Sequence, residues 1–387
     1  MARPSYDVIV VGAGLHGLSC ALNLAREGLK VVALDKDHPG RHASGVNAGG
    51  VRRLGRHEAE LPLSVAALEI WHRIEQEVGD SCGFVACDQI KVAENLSEAE
   101  ALQARVQRLR QLGYDHEQWI DEDELKRRVP AVAGHCVGAL LCAGDGSANP
   151  FRTVMAFRRA ALSAGVEIRE NCPVQALRAA GSGWRVDTPD GPVDGGAVVN
   201  CAGAWGNNIA RALGEPVPVT AAALMLMITE RLAPFLSPVL GAAGRTLSFK
   251  QFDNGTLLIG GGHRGTAQPE CNRSRVRFAG LRISAQTVGA LFPQLADVRV
   301  VRSWAGLEGM MPDDIPVIGP SSRADGIYHA FGFCGHGFQL APITGRIMAD
   351  LLVRGQSSLP IEAFRIQRFA GIADTAAVDT PEQRISA

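Results

Sequence analysis

The stretch Tyr6–Asp35, YDVIVVGAGLHGLSCALNLAREGLKVVALD, leaves few folds open to this chain. Tyr6–Val11 and Lys30–Asp35 are short apolar runs of strand length, rich in β-branched residues. Between them Leu15, Leu18, Ala21, Leu22 and Ala25 share one helical face, and Gly28 ends the helix. The pattern predicts a βαβ unit. Its first turn carries Gly12, Gly14 and Gly17 as G-x-G-x-x-G. Gly12 permits the tight turn, Gly14 lets a pyrophosphate approach the backbone, and Gly17 lets helix and strand pack closely. The helix N-terminus then offers unpaired N–H groups and a positive dipole end. Asp35, 18 positions after Gly17, stands where an acid takes ribose hydroxyls. Strand, turn, helix, strand and acid fall in register and predict a dinucleotide site.

At 387 residues the chain is long for one domain, so two closely packed domains are expected. A formal net charge of −1 argues against nucleic acid or an acidic membrane surface as a partner. Runs such as Arg105–Arg110 are short and read as solvated helix faces. No stretch reaches the roughly 18 apolar residues of a membrane span. The N-terminus runs almost directly into a core strand, which leaves no room for a signal peptide. Nine cysteines lack C-x-x-C or zinc-like spacing, so reduced, buried thiols, no metal and a cytoplasmic setting are expected.

Residues 35–53, DKDHPGRHASGVNAGGVRR, sit at the carboxyl edge of the second strand, where doubly wound sheets bind ligands. Ser44 and Asn47 suit phosphate or ribose, and Gly49–Gly50 allow a flat group against the backbone. Helices are predicted over 61–77 (with Trp71 in the core), 96–112 and 151–164, and a short one after the capping box Asp121–Glu124. Strands are expected at 166–169, 173–177, 184–188 and 196–200. The last runs into the small-residue turn CAGAWG, 201–206. Residues 216–310 read as a mostly antiparallel sheet, with Met225 and Met227 in its core, a hairpin at Asp253-Asn254-Gly255 and a further strand at Val298–Ala305. A second glycine-rich strand–turn–helix follows at 327–352, with FGFCGHG as its turn.

Four motifs recur in register: G-A-G-x-x-G at 12–17, S-G-V-N-A-G-G at 44–50, N-C-A-G-A-W at 200–205 and G-F-C-G-H-G-F at 332–338. Together they resemble the D-amino-acid oxidase family of flavoproteins, nearest the β subunits of hydroxyproline dehydrogenase, opine oxidase and sarcosine oxidase. The resemblance covers residues 6 to about 355. It implies an α/β fold, with a Rossmann-type FAD-binding domain (1–80, 145–215 and 311–372) and a mostly antiparallel α+β substrate domain (81–144 and 216–310). Residues 373–387 are expected to be a disordered tail. FAD, held non-covalently, would lie extended. Its adenosine and pyrophosphate would rest on Gly12, Gly14, Leu15, His16, Gly17, Asp35, Lys36 and Ser44, with Val174 at the adenine. Asn47, Ala48, Gly49 and Gly50 would line it, as would Ala202, Gly203 and Trp205. The turn Gly332, Gly335, His336, Gly337, Phe338 and Gln339 would hold the flavin's pyrimidine edge, where backbone N–H groups suit an anionic reduced ring.

A flavin amine oxidation asks the protein for orientation and charge, because the cofactor carries the chemistry. Two departures from the family pattern stand out. Trp304-Ala305-Gly306-Leu307 is followed by Glu308, where glycine-oxidase-like members carry a carboxylate-gripping arginine, and Gln339 stands where sarcosine-oxidase-like members carry a lysine. Arg52, His263, Glu308 and His336 are the candidate catalytic residues: Arg52 for a carboxylate, Glu308 for an ammonium or hydroxyl, and the two histidines facing the flavin. The resemblance implies oxidation of a D-, cyclic or N-substituted amino acid or secondary amine, with electrons passed onward through partner subunits. A peroxide-forming oxidase and a flavin-binding subunit without turnover are the alternatives.

Overall fold

The computed structural model describes residues 5–371. The expected tail lies outside the described residues. β1 (Tyr6–Val11), α1 (Leu15–Arg26) and β2 (Val31–Leu34) form the anticipated βαβ unit. β1 pairs in parallel with β2 on one side and with the Gly191–Asn200 strand on the other. Such a strand, covered on both faces, must be apolar throughout, and Val8–Val11 are all buried. Glu167–Arg169 extends the sheet beyond β2, and Ile327–Phe331 pairs in parallel with the end of Gly191–Asn200. An Ala176–Ala180/Gly183–Thr188 hairpin and Val317–Pro320 add antiparallel pairings. β1, Gly191–Asn200 and Ile327–Phe331 therefore point their carboxyl ends the same way. Each runs there into a glycine-bearing turn, and that convergence positions the site.

Helices Pro150–Ser163 and Gly337–Arg354 pack on α1. The crossing of α1 with Gly337–Arg354 is close enough that a Cβ on Gly345 would stand 2.3 Å from Ser19 Oγ. Trp71 is fully buried and donates Nε1–H to Gln339 O at 2.9 Å, as core packing requires of an indole.

A second eight-stranded sheet runs in the order Val300–Met310, Thr220–Arg231, Thr256–Gly260, Ser248–Gln251, Val239–Ala242, Gln89–Ala93, Gly138–Cys142, Glu117–Asp121. Its pairings are antiparallel except that between Val239–Ala242 and Gln89–Ala93. It has its own core, which includes Met227, Phe249, Leu257 and Phe292. Burial of each such side chain contributes about 1.5–3 kcal/mol. No helix among the described residues is long and apolar enough to cross a membrane.

Three elements differ from expectation. The 61–77 helix breaks after Trp71 and resumes at Ile74–Val78, because Arg73 leaves the helical region (φ −124°) and turns Ile74 and Val78 into the core. Residues 173–175 are not a strand. Pro173 has no N–H to give a ladder, and Asn171 (φ +54°) bends the chain so that Cys172 N–H reaches Asp35 O at 2.7 Å. The strand expected at 298–305 extends to Met310 through two glycines. A side chain on Gly306 would strike Val46 Cγ2 at 2.3 Å, and one on Gly309 would crowd the Ala204 backbone at 3.2 Å. Glycine lets this strand slide beneath the Ala43–Val46 and Gly203–Trp205 turns.

The sheet edge near Ile327–Phe331 holds a buried acid. Glu215 accepts hydrogen bonds from Ser321 Oγ, from Ser322 N and Oγ (both 2.8 Å) and from the fully buried His329 Nε2 at 2.9 Å. Burial alone would raise its pKa, but His329 and the two serines outweigh that and hold it at about 2. A folded-state pKa below the unfolded one stabilises fully above about pH 4.5, and the contribution is lost as pH falls toward about 2. Glu215→Gln should therefore flatten the acid limb of thermal stability measured from about pH 5 downward. An acid limb identical to wild type would contradict this.

Candidate functional site

The three turns enclose one elongated cavity. At its floor Gly12 adopts φ +96° and donates its N–H to Leu34 O at 2.7 Å. A Cβ there would lie 2.5 Å from Cys201 O, and one on Gly17 would lie 1.8 Å from Gly12 O. Gly17 thus serves the strand–helix contact and does not line the cavity. Gly14, Leu15 and His16 do line it. Asp35 also lines it, with Oδ2 accepting Ala13 N–H at 2.7 Å and Oδ1 accepting Asp37 N–H at 2.8 Å. Ser44 Oγ accepts Leu15 N–H at 3.0 Å, which satisfies one open donor of the α1 N-terminus.

Around the same cavity stand Lys36, Asn47, Val174, Ala202, Gly203 and Trp205. Lys36 donates to Asn272 Oδ1 at 2.6 Å and lies over the Trp205 ring, and burial lowers its pKa to about 8. Trp205 in turn donates to Pro269 O at 3.0 Å. The 268–275 segment, a short hairpin from the second half of the chain, is thereby tied across this end. Asn47 holds its own loop, donating to Ala43 O and Ser44 O and accepting from Gly49 N–H.

At the other end Gly332, Gly335, Gly337 and Phe338 line the cavity with Leu307, Glu308 and Gly309. Gly332 and Gly335 both have positive φ, near +75°. The imidazole of His16 stacks on Phe333 with centroids 3.5 Å apart. Burial drives its pKa down to about 3, outweighing the opposing contact with the Gly337 backbone, so the ring is neutral. Glu308 Oε1 accepts Gly335 N–H at 2.7 Å. Burial raises the Glu308 pKa, and that hydrogen bond only partly counters it.

Several expected site residues stand elsewhere. Arg52 does not line the cavity: its guanidinium donates to Leu54 O and sits in the field of Glu60, Asp145 and Glu117. His263 also stays outside. Its Cβ lies beside the start of the Phe278–Leu291 helix, where a Cβ on Gly280 would come within 3.4 Å of it. Ala48, Gly49 and Gly50 are likewise set back, and Gly49 is glycine because a Cβ would lie 2.1 Å from Ala148 O. His336 turns its Nδ1 to within 3.0 Å of Glu60 Oε2. Gln339 is fully buried, accepting from Arg56 at 3.1 Å and donating to Ser64 O at 2.7 Å.

Those contacts expose a group that sequence reasoning missed. Arg56 and Glu60 are almost wholly buried beneath the 332–339 turn. Arg56 donates to Arg52 O at 2.9 Å and lies 3.9 Å from Glu60 Oε2. Burial lowers its pKa to about 10, so it stays charged at neutral pH. The i,i+4 spacing of Arg56 and Glu60 was visible, but the same spacing marks ordinary solvated pairs.

A mixed sheet with a parallel centre, a G-x-G-x-x-G turn at one end of the cavity and a second glycine turn at the other defines a dinucleotide-binding oxidoreductase. The chain belongs to the FAD dependent oxidoreductase family, DAO, which it matches over residues 7–351. It is similar to sarcosine oxidase subunit beta of Rhizobium meliloti, at 28% identity over 95% of this chain and 89% of that protein. The crystal structure of glycine oxidase from Geobacillus kaustophilus superposes with TM-score 0.87 at 26% identity, covering 95% and 99% of the two chains. L-proline dehydrogenase from P. horikoshii gives TM-score 0.87 at 25% identity, covering 95% and 98%. FAD is the cofactor of this family, and the residues present fit it. Gly14 and Gly337 keep the cavity walls bare where a Cβ would meet Ser44 Oγ at 3.0 Å and His16 Nε2 at 2.7 Å.

Proposed function

We propose that the protein oxidises a D-, cyclic or N-substituted amino acid, such as D-hydroxyproline, D-proline, sarcosine or an opine, to its imine, and passes the electrons onward as a dehydrogenase. Bound FAD supplies the two-electron acceptor for the α-hydrogen. The observation that carries the reading is the meeting of Leu307–Gly309, from the second sheet, with the 332–338 turn at one end of the dinucleotide cavity. Such a junction sets a substrate held by one half of the chain against the reactive end of a cofactor held by the other. In this reading the 1–80, 145–215 and 311–372 segments hold FAD, and the 81–144 and 216–310 segments shape the substrate side. Gly12, Gly14 and Ser44 bind the pyrophosphate end, and Gly335 and Gly337 the flavin end. Likeness to a sarcosine oxidase subunit supports work in a complex. Likeness to glycine oxidase supports the second reading, direct reaction with oxygen.

The test is anaerobic mixing of the flavin-loaded protein with D-, cyclic and N-alkyl amino acids and opines while the visible flavin band is followed. Bleaching by one class, then slow recolouring in air that an added dye accelerates, is the expected result. Rapid recolouring with peroxide would establish the oxidase reading instead, and a flavin that no compound bleaches would end both.

A further inference from the structure

The charge lining the cavity is unevenly placed. Its cations, Lys36 and Arg41, and the imidazoles of His38 and His42 all come from the 35–42 loop at the adenosine end. The neutral His16 belongs to the first glycine turn. The end built by 307–309 and 332–338 presents a single charged side chain, Glu308. Glu308 lies in the Val300–Met310 strand opposite Ala222, so a two-stranded ladder fixes its backbone. Oε1 is held by Gly335 N–H at 2.7 Å, whereas Oε2 has no hydrogen-bond partner among the described residues. No described Lys, Arg or His forms an ion pair with this half-buried acid, whereas the fully buried acids nearby each have one: Glu60 faces His336 and Arg56, and Glu117 and Asp145 face Arg105 and Arg53.

A carboxylate partly withdrawn from water without a cation is destabilised, and the usual remedy is a partner. From this geometry we propose that Glu308 is the cation-recognition residue of the substrate site, and that the substrate presents an alkylammonium group to its free oxygen. The proposal rests on the amine-oxidation reading above and narrows it to substrates whose positive charge faces the Val300–Met310 strand. A substrate carboxylate directed at the same spot would be repelled. The raised pKa of the unpaired acid accords with an anion that awaits its counterion.

The test uses flavin-loaded protein and two probes outside the panel that share a butyl chain and differ in charge, n-butylammonium and n-pentanoate. Each is titrated while perturbation of the visible flavin spectrum is recorded. Wild type should bind the ammonium at least ~10-fold more tightly than the carboxylate. Glu308→Gln keeps an acceptor for Gly335 N–H and removes only the charge, so it should weaken ammonium binding by ~10–100-fold with flavin content unchanged. Glu308→Arg should reverse the preference. Wild type that binds pentanoate as tightly as butylammonium, or shows no perturbation by either, overturns the proposal without any variant having to fold. Ammonium binding by Glu308→Gln within ~2-fold of wild type overturns it as well. Flavin bleaching by the amine panel is scored separately: a protein that binds ammonium but is never reduced would sink the amine-oxidation reading and leave the cation site standing.

Discussion

Gly17→Ala should purify with at least ~10-fold less flavin than wild type and a depressed unfolding temperature. The added Cβ would lie 1.8 Å from Gly12 O and 2.9 Å from Gly12 C, and both are backbone atoms that no rotamer change can remove. Gly12 cannot retreat, because it is pinned by its N–H bond to Leu34 O and by the close approach to Cys201 O. α1 must therefore lift away from β1, and with it the N–H groups aimed at the pyrophosphate. Overpacking of this kind costs about 1–3 kcal/mol or more, and the cost falls on the cofactor cradle itself. Gly28→Ala is the control. It also forces a side chain into a positive-φ position (+85°), but nothing lies within 4 Å of the new Cβ, and the site is at the far end of α1. It should lose about 1–2 kcal/mol of stability and keep its flavin. Flavin-to-protein absorbance after dialysis decides between them. Equal flavin in both variants would refute the role given to the first turn.

The second large effect belongs to the buried ions. Arg56→Met should destabilise the protein by about 3–5 kcal/mol in urea unfolding, because it removes the guanidinium charge and leaves buried Glu60 only the His336 imidazole, whose charging burial disfavours. It also removes the donors that hold Gln339 Oε1 and His336 O, so the 332–339 turn should loosen and flavin affinity should fall. The double variant Arg56→Met/Glu60→Leu removes both charges and should recover most of the lost stability, because a paired apolar replacement avoids the stranded ion. If the double variant is as unstable as the single, the penalty comes from lost packing and not from charge.

These two sites mark how far the sequence could be read. The βαβ unit and both glycine turns were legible because local rules decide them: strand length, helical periodicity and the positions of Gly12, Gly14, Gly17, Gly335 and Gly337. The hairpin at Asp253-Asn254-Gly255 was legible for the same reason, with Gly255 at φ +87°. Arg56 and Glu60 were not. Their burial is imposed by Gln339 and His336, nearly 280 positions away, and no local pattern separates them from an exposed pair. Arg52 and Glu308 show the same limit at one remove. Sequence placed both near the site, but which side chain turns inward depends on Leu54, Glu60 and Gly335. Gly49 was read as room for a ligand, and the close neighbour proves to be Ala148 O.

The packing of α1 against Gly337–Arg354 has a consequence for how the protein is made. Leu18 and Leu22 leave the ribosome more than 300 residues before the helix that covers them, with Ile347 and Met348, can emerge. At ~5–20 residues per second the interval is on the order of tens of seconds. During that time the nascent chain exposes an apolar helix face and the unfilled edge of a parallel sheet, which invites chaperones and misassembly. The yield of active protein should then follow how well the cell shelters unfinished chains, more than how stable the finished one is.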